Sequence, residues 1–207
     1  LLKQTLPAWE LILVNDGSKD NTDAVLREWE DKFPSVTILE QANQGVSVAR
    51  NTGFAVAKGQ YITFPDIDDV IHPQMYGRLL EIALAGKLDV ATCNGTYVYE
   101  DGREPRPIFP PDRLRSTGVI SGPDWLKRAL NSRKFLHVTW LNLYRTDFLR
   151  EQGYYFEPGL HHQDIPWTTE LLMTAARVEY IDERYYDYLI HSESVSHTPP
   201  DDKIRER

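Results

Sequence analysis

The sequence predicts an α/β fold in which helices cover a largely parallel central sheet. In the first half of the chain, short apolar runs alternate with helical patterns at close spacing, which is typical of parallel α/β architectures. The chain has 207 residues, of which 41% are hydrophobic and 11% aromatic, and this is enough for a substantial core. The net charge of -8 at pH 7 disfavours a broad nucleic-acid-binding surface.

The first half consists of four strands and the helices that follow them. Apolar runs predict strands at residues 10–14, 36–39, 61–64 and 88–97. Apolar residues at helical spacing predict helices at residues 22–33, 46–57 and 73–84. In the last of these helices, one side should carry Met75, Leu79, Ile82 and Ala83.

The second half of the chain has a different character. Residues 100–122 contain prolines at positions 105, 107, 110 and 111, which predicts a long surface excursion suited to act as a lid. Helices are expected near residues 123–131, 146–151 and 166–176, and strands near residues 138–144, 178–181 and 185–190. We expect the polar tail at residues 192–207 to be mobile.

Three carboxylates follow the third strand, since the apolar run at residues 61–64 ends in Asp66, Asp68 and Asp69. Such close like charges raise one another's pKa unless a cation neutralises them. Mg2+ and Mn2+ are held by carboxylates, commonly together with the phosphates of a substrate. The motif therefore indicates a metal-bridged diphosphate. The alternative is an acidic turn in which Asp68 or Asp69 caps the next helix.

Polar residues also follow the first two strands. Ligands of open α/β sheets bind beyond the carboxyl ends of the strands, so these residues should line one crevice with the three aspartates. Asp16 is suited to accept a hydrogen bond from a nucleotide base, and Arg50 is suited to pair with phosphate or an acidic neighbour. Each residue also has a simpler alternative. Asp16 belongs to a common turn sequence, and Arg50 is a surface residue of a helix.

Three segments resemble the family 2 inverting glycosyltransferases, whose fold is called GT-A. Residues 2–18 are similar to the family's first helix, second strand and Asp-Gly-Ser turn. Residues 43–53 match its Asn-x-Gly and Ala-Arg-Asn-x-Gly segment, and residues 64–73 match its Asp-x-Asp strand end. The family's first strand, whose end also touches the nucleotide, has no counterpart here. We therefore expect a truncated start and an incomplete donor site.

The resemblance implies roles for the residues of the crevice. Asp16 is expected to bind the base, commonly the uracil of a UDP-sugar, and Asp66 and Asp68 to contact the sugar nucleotide. Asp68 or Asp69 is expected to hold Mn2+ or Mg2+. Residues 1–99 then form the nucleotide-sugar-binding half of one domain, and residues 100–191 the half that binds the acceptor and supplies the catalytic base.

The second half contains the expected base. Gln163 and Asp164 occupy the place of the family's Glu-Asp pair, so Asp164 is the candidate general base and Gln163 a ligand of the acceptor hydroxyl. The alternative for Asp164, which precedes Pro166, is a helix cap. His191 lies where relatives place an Arg or His near the diphosphate, and its alternative is a plain strand-end histidine. Five aromatic residues are either acceptor platforms or core: Trp125, Trp140, Trp167, Tyr154 and Tyr155.

The function implied is metal-dependent transfer of a sugar, with inversion, from a nucleotide diphosphate sugar to a hydroxyl of a saccharide or lipid-linked saccharide. Bacterial surface polysaccharide synthesis is the implied setting. The alternatives are a catalytically silent nucleotide-sugar or glycan binding module, and a metal-dependent nucleotidyltransferase.

The lone Cys93 and the lack of a membrane-spanning apolar run predict a cytoplasmic location. Peripheral association with the inner face of the membrane stays open, and the sequence does not indicate an oligomeric state.

Overall fold

The structure, a computed structural model, describes residues 1–132 and 137–190. The first part is a small parallel sheet of β1 (Leu11–Asp16) and β2 (Val36–Gln41). Helix α1 (Thr22–Arg27) connects these strands, and α2 (Val46–Val56) follows β2. Helix α2 packs closely on β1 because it carries Gly53, where an added Cβ would lie 3.4 Å from a methyl group of Val14.

A second, six-stranded sheet forms the larger part of the fold. Its strands are β3 (Tyr61–Ile62), β4 (Val70–Ile71), β5 (Val90–Tyr99), β6 (Arg106–Pro107), β7 (Asn142–Arg145) and β8 (Val178–Ile190). The spatial order is β3-β7-β5-β8-β4, and β6 pairs with β5. Strands β5 and β8 run parallel, whereas β7 is antiparallel to both of its neighbours. The α/β class is thus confirmed, but the larger sheet is mixed where a largely parallel sheet was expected.

Four more helices cover this sheet: α3 (Met75–Gly86), α4 (Gly122–Asn131), α5 (Thr146–Gln152) and α6 (Asp164–Thr174). The residues predicted for the inner side of α3 are all buried. Ser121 caps α4, because its side chain accepts a hydrogen bond from the backbone N–H of Asp124. Among the described helices, none is both long and apolar enough to cross a membrane.

Several elements differ from the sequence predictions. Helix α1 ends at Arg27 and not at residue 33, and the two-residue strands β4 and β6 were not predicted. The strands expected at residues 178–181 and 185–190 form one long strand, β8, which follows β5 through a bulge near Asn94. The proline-rich excursion packs on the core, since Ile108, Phe109 and Leu114 are buried. The Asn94 side chain holds it by donating to the carbonyl of Phe109 at 2.8 Å and accepting from its N–H at 3.0 Å. In this structure, that part of the excursion is therefore a fixed wall and not a free lid.

An aromatic cluster lies under the end of β3. Phe64 meets the rings of Phe156 and Trp167 edge to face, at centroid distances of 5.2 and 5.8 Å. Phe156 in turn stacks on Trp167 at 4.2 Å. These contacts anchor the chain immediately before the three aspartates, so the polar residues that follow start from a rigid base.

Candidate functional site

Asp16 ends β1 and organises the loop that leads into α2. Its Oδ1 accepts hydrogen bonds from the Gln41 side chain at 2.8 Å and the Gln44 N–H at 2.9 Å, and its Oδ2 accepts from the Gly45 N–H at 2.8 Å. The hydrogen bond from the Gln44 N–H is the main cause that lowers the pKa of Asp16, so this carboxylate is ionised at neutral pH. A contact of Asp16 with a nucleotide base stays a prediction.

The Asp-Gly-Ser turn and the loop after β2 touch each other. Gly17 has a φ of 74°, and an added Cβ would lie only 2.7 Å from the backbone nitrogen of Asn43. Glycine is therefore required here both by the backbone conformation and by the close approach of the second loop. This contact brings the two separate sequence motifs together in space.

The Ala-Arg-Asn-x-Gly segment lies on α2, and its polar members have distinct partners. The Arg50 guanidinium donates to Oδ1 of Asp66 at 2.9 Å and lies over the ring of Phe156, 5.3 Å from its centroid. The Asn51 side chain forms two hydrogen bonds of 2.8 Å with the backbone of Phe156. Helix α2 thus joins β1, the aspartates and the segment that precedes α6.

We call residues 65–69 the acid loop. Burial is the main cause that raises the pKa of Asp66, and the neighbouring Arg50 opposes it. The negative charges of Asp68 and Asp164 also raise the pKa of Asp66, which places these carboxylates in one electrostatic neighbourhood. Asp68 itself is exposed. The predicted crevice therefore brings Arg50, Asp66, Asp68 and Asp164 together.

Asp69 is fastened to β8. Its Oδ1 accepts from the Leu189 N–H at 2.9 Å, and its Oδ2 accepts from the Tyr186 hydroxyl at 2.8 Å. The same hydroxyl accepts from the N–H of Asp66 at 3.3 Å, and the Tyr186 ring stacks on Trp140 at 4.3 Å. Burial raises the pKa of Asp69 to about 6. These bonds give Asp69 a structural role, while its role as a metal ligand stays a prediction.

The chemistry of the acid loop suits a divalent cation that is shared with a diphosphate. Within the described residues, no group of three or more His, Cys, Asp or Glu side chains is arranged to hold a metal. A Mg2+ ion in a phosphate-binding site needs only one or two carboxylates, because phosphate oxygens and water complete its shell. The exposed Asp68, with a neighbouring aspartate, supplies such a partial set of hard oxygen ligands.

Asp164 is the first residue of α6, and the preceding Gln163 is the N-cap residue, whose side chain makes no capping hydrogen bond. Burial is the main cause that raises the pKa of Asp164, while the charges of Arg50, His162 and His137 oppose it. The helix-cap alternative for Asp164 is therefore not supported. The proposed contact of Gln163 with an acceptor stays a prediction, and His191 lies outside the described residues.

Two residues of the site were not identified from the sequence. His137 lies 3.0 Å from the hydroxyl of Thr169 on α6, and burial lowers the pKa of His137 while the charge of Asp164 opposes that effect. Tyr186 connects the acid loop to β8. Neither residue belongs to a local motif, so the sequence offered no signal for them beyond a polar atom in an apolar context.

The aromatic candidates separate clearly by burial. Trp125, Trp140 and Trp167 are core residues, each less than 5% exposed. The Tyr154 hydroxyl lies 2.6 Å from the hydroxyl of Thr174. Tyr155 is 55% exposed and packs on Phe54 of α2. Of the five candidates, Tyr155 is thus the most exposed, and its contact with a sugar stays a prediction.

Comparisons with known proteins agree with these motifs. The family model of Glycosyl transferase family 2 matches residues 1–148. The uncharacterized glycosyltransferase YibD of Escherichia coli (strain K12) is 46% identical over 196 residues, which cover 95% of this chain and 57% of YibD. The minor teichoic acid biosynthesis protein GgaB of Bacillus subtilis (strain 168) is 39% identical over 95 residues, which cover 45% of this chain and 11% of GgaB.

Two solved structures share the architecture. Residues 1–349 of S. aureus TarS, in complex with UDP-GlcNAc, match with a TM-score of 0.77 at 23% identity, over 96% of this chain and 55% of that chain. The mannosyltransferase PcManGT from Pyrobaculum calidifontis, in complex with GDP-Man and Mn2+, matches with a TM-score of 0.64 at 15% identity. This match covers 93% of our chain and 51% of PcManGT. The predicted GT-A fold is thereby confirmed. The chain spans little more than half the length of YibD and of both structures.

Proposed function

The chain belongs to glycosyl transferase family 2, and we propose that it moves a sugar from a UDP-sugar to a hydroxyl of a saccharide or lipid-linked saccharide, with inversion. The observation that carries this proposal is the shared neighbourhood of Asp164, Arg50 and the acid loop. Together they provide a base, a cation and a set of carboxylates on one crevice. In the proposed mechanism, these three kinds of group act near one reacting carbon.

Asp164 acts as the general base in this mechanism. It takes the proton of the acceptor hydroxyl while the oxygen of that hydroxyl bonds to the anomeric carbon of the donor. The bond between this carbon and the diphosphate oxygen breaks on the opposite face, which inverts the configuration. Burial raises the pKa of Asp164, and a higher pKa makes its carboxylate a better proton acceptor.

The donor occupies the crevice between β1 and the acid loop. Asp16 and Asp66 contact the nucleotide, and Arg50 holds Asp66 in place. Asp68 or Asp69 would hold Mn2+ or Mg2+, and the bound ion would neutralise charge on the departing diphosphate. The UDP-GlcNAc complex of TarS and the Mn2+ complex of PcManGT support these choices of donor and metal.

The acceptor approaches from the side of α6, where Gln163 and the exposed Tyr155 can contact it. A role in cell-surface polysaccharide synthesis is supported by the relative GgaB, whose name assigns it to teichoic acid biosynthesis. Such a role suits a cytoplasmic location, with peripheral association at the inner face of the membrane. The division into a donor half at residues 1–99 and an acceptor half at residues 100–191 belongs to the same proposal.

Replacement of Asp164 by Asn tests the mechanism, because Asn has nearly the same shape but cannot accept the proton. We expect the turnover number to fall by about 10²- to 10⁴-fold, the usual contribution of a general base. Binding of UDP-GlcNAc with Mn2+, measured by thermal shift, should be unchanged. The matched control is Asp147→Asn, at an exposed position in the first turn of α5.

The outcomes separate the alternative functions. Unchanged turnover in Asp164→Asn would remove the proposed base, and donor binding without turnover in the native protein would favour a silent binding module. Release of pyrophosphate in place of UDP would identify a nucleotidyltransferase. A panel of nucleotide sugars is scored first, because the strongest thermal stabilisation identifies the donor to use.

A further inference from the structure

A groove of about 750 Å³ lies outside the crevice, between the loop at residues 112–116 and the end of α4. Its lining residues are Asp112, Arg113, Leu114, Arg115, Ser116, Arg128, Asn131 and Ser132. A smaller hollow of about 500 Å³ adjoins it and shares Asp112, Arg115 and Ser116. We call the two together the basic groove.

The basic groove is positively charged, whereas the whole chain is negatively charged. Three guanidinium groups, of Arg113, Arg115 and Arg128, line the basic groove against the two carboxylates of Asp112 and Asp182, whereas the chain carries a net charge of -8. In the described part of the chain, the side chains of Arg113 and Arg128 form no ion pair or hydrogen bond. Their charges are therefore available to an anionic ligand.

The loop that presents two of these arginines is firmly held. Leu114 is buried, and the backbone N–H of Thr117 donates to the carbonyl of Tyr180 at 2.8 Å. The Ser116 hydroxyl accepts from the N–H of Asp182 at 2.8 Å, and the Arg115 guanidinium donates to the carbonyl of Pro111 at 3.3 Å. A loop fixed in this way offers its charges with little loss of backbone entropy on binding.

The basic groove lies on the acceptor side of the molecule. Its last lining residue, Ser132, is five residues before His137, which contacts α6 next to Asp164. Five residues span at most about 18 Å. An extended acceptor can therefore reach from the groove to the catalytic base, whereas the nucleotide is bound by β1 and the acid loop.

We propose that the basic groove binds a phosphate group of the acceptor, so that the acceptor is a phosphate-bearing saccharide polymer or a lipid-linked diphosphate saccharide. This inference rests on the proposed function. A guanidinium group can donate two parallel N–H···O hydrogen bonds to two oxygens of one phosphate, and it keeps its charge at any physiological pH. The groove fixes the distant part of the acceptor while the crevice holds the hydroxyl that reacts.

The test compares Arg113→Ala/Arg128→Ala with Lys127→Ala. Lys127 is an exposed residue next to Arg128 on α4 that does not line the groove, so its loss changes the net charge but not the site. The probes are a soluble glycerol phosphate oligomer, a short-chain lipid diphosphate saccharide, and an uncharged dextran oligosaccharide. Binding is measured calorimetrically with saturating UDP and Mn2+, which occupy the crevice.

We expect the native protein to bind one of the two phosphate probes and not the dextran, with an affinity that falls as salt rises. The double variant should lose about ten-fold or more of that affinity, and Lys127→Ala should keep it. Which phosphate probe binds identifies the source of the phosphate. Equal affinity in the double variant, or equal losses in both variants, overturns the proposal.

Two further arms complete the design. One arm tests vesicles that contain phosphatidylglycerol. If these vesicles bind through Arg113 and Arg128 while neither phosphate probe binds, the groove is a membrane contact and the proposal is wrong. The Asp164→Asn variant should bind the phosphate probe like the native protein. Failure of the proposed transfer reaction is thereby distinguished from failure of the groove, since binding is read without turnover.

Discussion

At the scale of single residues, burial and hydrogen bonding shift the pKa values of the crevice carboxylates in opposite directions. Burial raises the pKa of Asp66, Asp69 and Asp164, while backbone N–H groups lower the pKa of Asp16. Asp16 is thus a fixed negative charge that shapes a loop. The other three hold protons more readily than an ordinary aspartate does, which is typical of carboxylates at functional sites.

The Tyr186 hydroxyl connects Asp69 to β8, and the variant Tyr186→Phe removes this hydroxyl alone. The Phe ring keeps the stack on Trp140 but cannot donate to Asp69. At pH 8, where Asp69 is ionised, we expect the free energy of unfolding to fall by about 1–2 kcal/mol, as for a hydrogen bond to a charged group. At pH 5 the loss should be smaller, because Asp69, with a pKa of about 6, is then protonated. Urea unfolding at both pH values measures the difference.

The control for this prediction is Tyr154→Phe. The Tyr154 hydroxyl bonds to the hydroxyl of Thr174 and the carbonyl of Glu170, which do not ionise. Its loss should cost the same at pH 5 and pH 8. A pH-independent cost for Tyr186→Phe as well would mean that the Tyr186 hydroxyl does not stabilise the charged form of Asp69.

At the scale of elements, local patterns placed the helices, although α1 ends at Arg27 and not at residue 33, and they were insufficient for strand direction. Helix α3 was predicted with its buried face because apolar spacing is a local property. The direction of β7 is set by its partners β3 and β5, which lie far away in sequence. The merging of two predicted strands into β8 likewise depends on its long pairing with β5. No pattern inside a strand specifies such partners.

The contact between α4 and α6 depends on one glycine. Gly122 starts α4 so close to α6 that an added Cβ would lie 2.0 Å from the carbonyl oxygen of Leu172. In Gly122→Ala the helices must move apart, and we expect the free energy of unfolding to fall by about 1–3 kcal/mol or more. The control is Gly118→Ala, where an added Cβ meets nothing within 4 Å. Equal stability of the two variants in urea would contradict this packing.

At the scale of the whole molecule, the candidate site was predictable where it follows strand ends. Asp16, Arg50 and the acid loop were predicted to share one site because ligands of open α/β sheets bind beyond the carboxyl ends of the strands. The structure brings Arg50 and Asp66 together at 2.9 Å, whereas a site shared with Asp16 stays a prediction. Tyr186 and His137 were missed because they come from distant segments and carry no local motif. The basic groove was missed for the same reason, since folding alone brings the loop at residues 112–116 to the end of α4.

Binding of metal and nucleotide should couple to pH across the whole fold. Because the pKa of Asp69 rises to about 6 on folding, its contribution to stability is fully present below the ordinary aspartate pKa and is lost as the pH rises through 6. Burial also raises the pKa of Asp66, which acts in the same direction. A divalent cation competes with these protons, so it should stabilise the protein most where the carboxylates are ionised.

We therefore expect Mn2+ with UDP at about 100 times the dissociation constant to raise the melting temperature by about 5–10 °C at pH 7.5. At pH 5.5 the increase should be clearly smaller, because protons occupy part of the same carboxylates. Asp68→Asn should lose the Mn2+-dependent part of the increase and keep the part that UDP gives alone. An equal or larger increase at pH 5.5, measured by calorimetry, would contradict a cation bound at the acid loop.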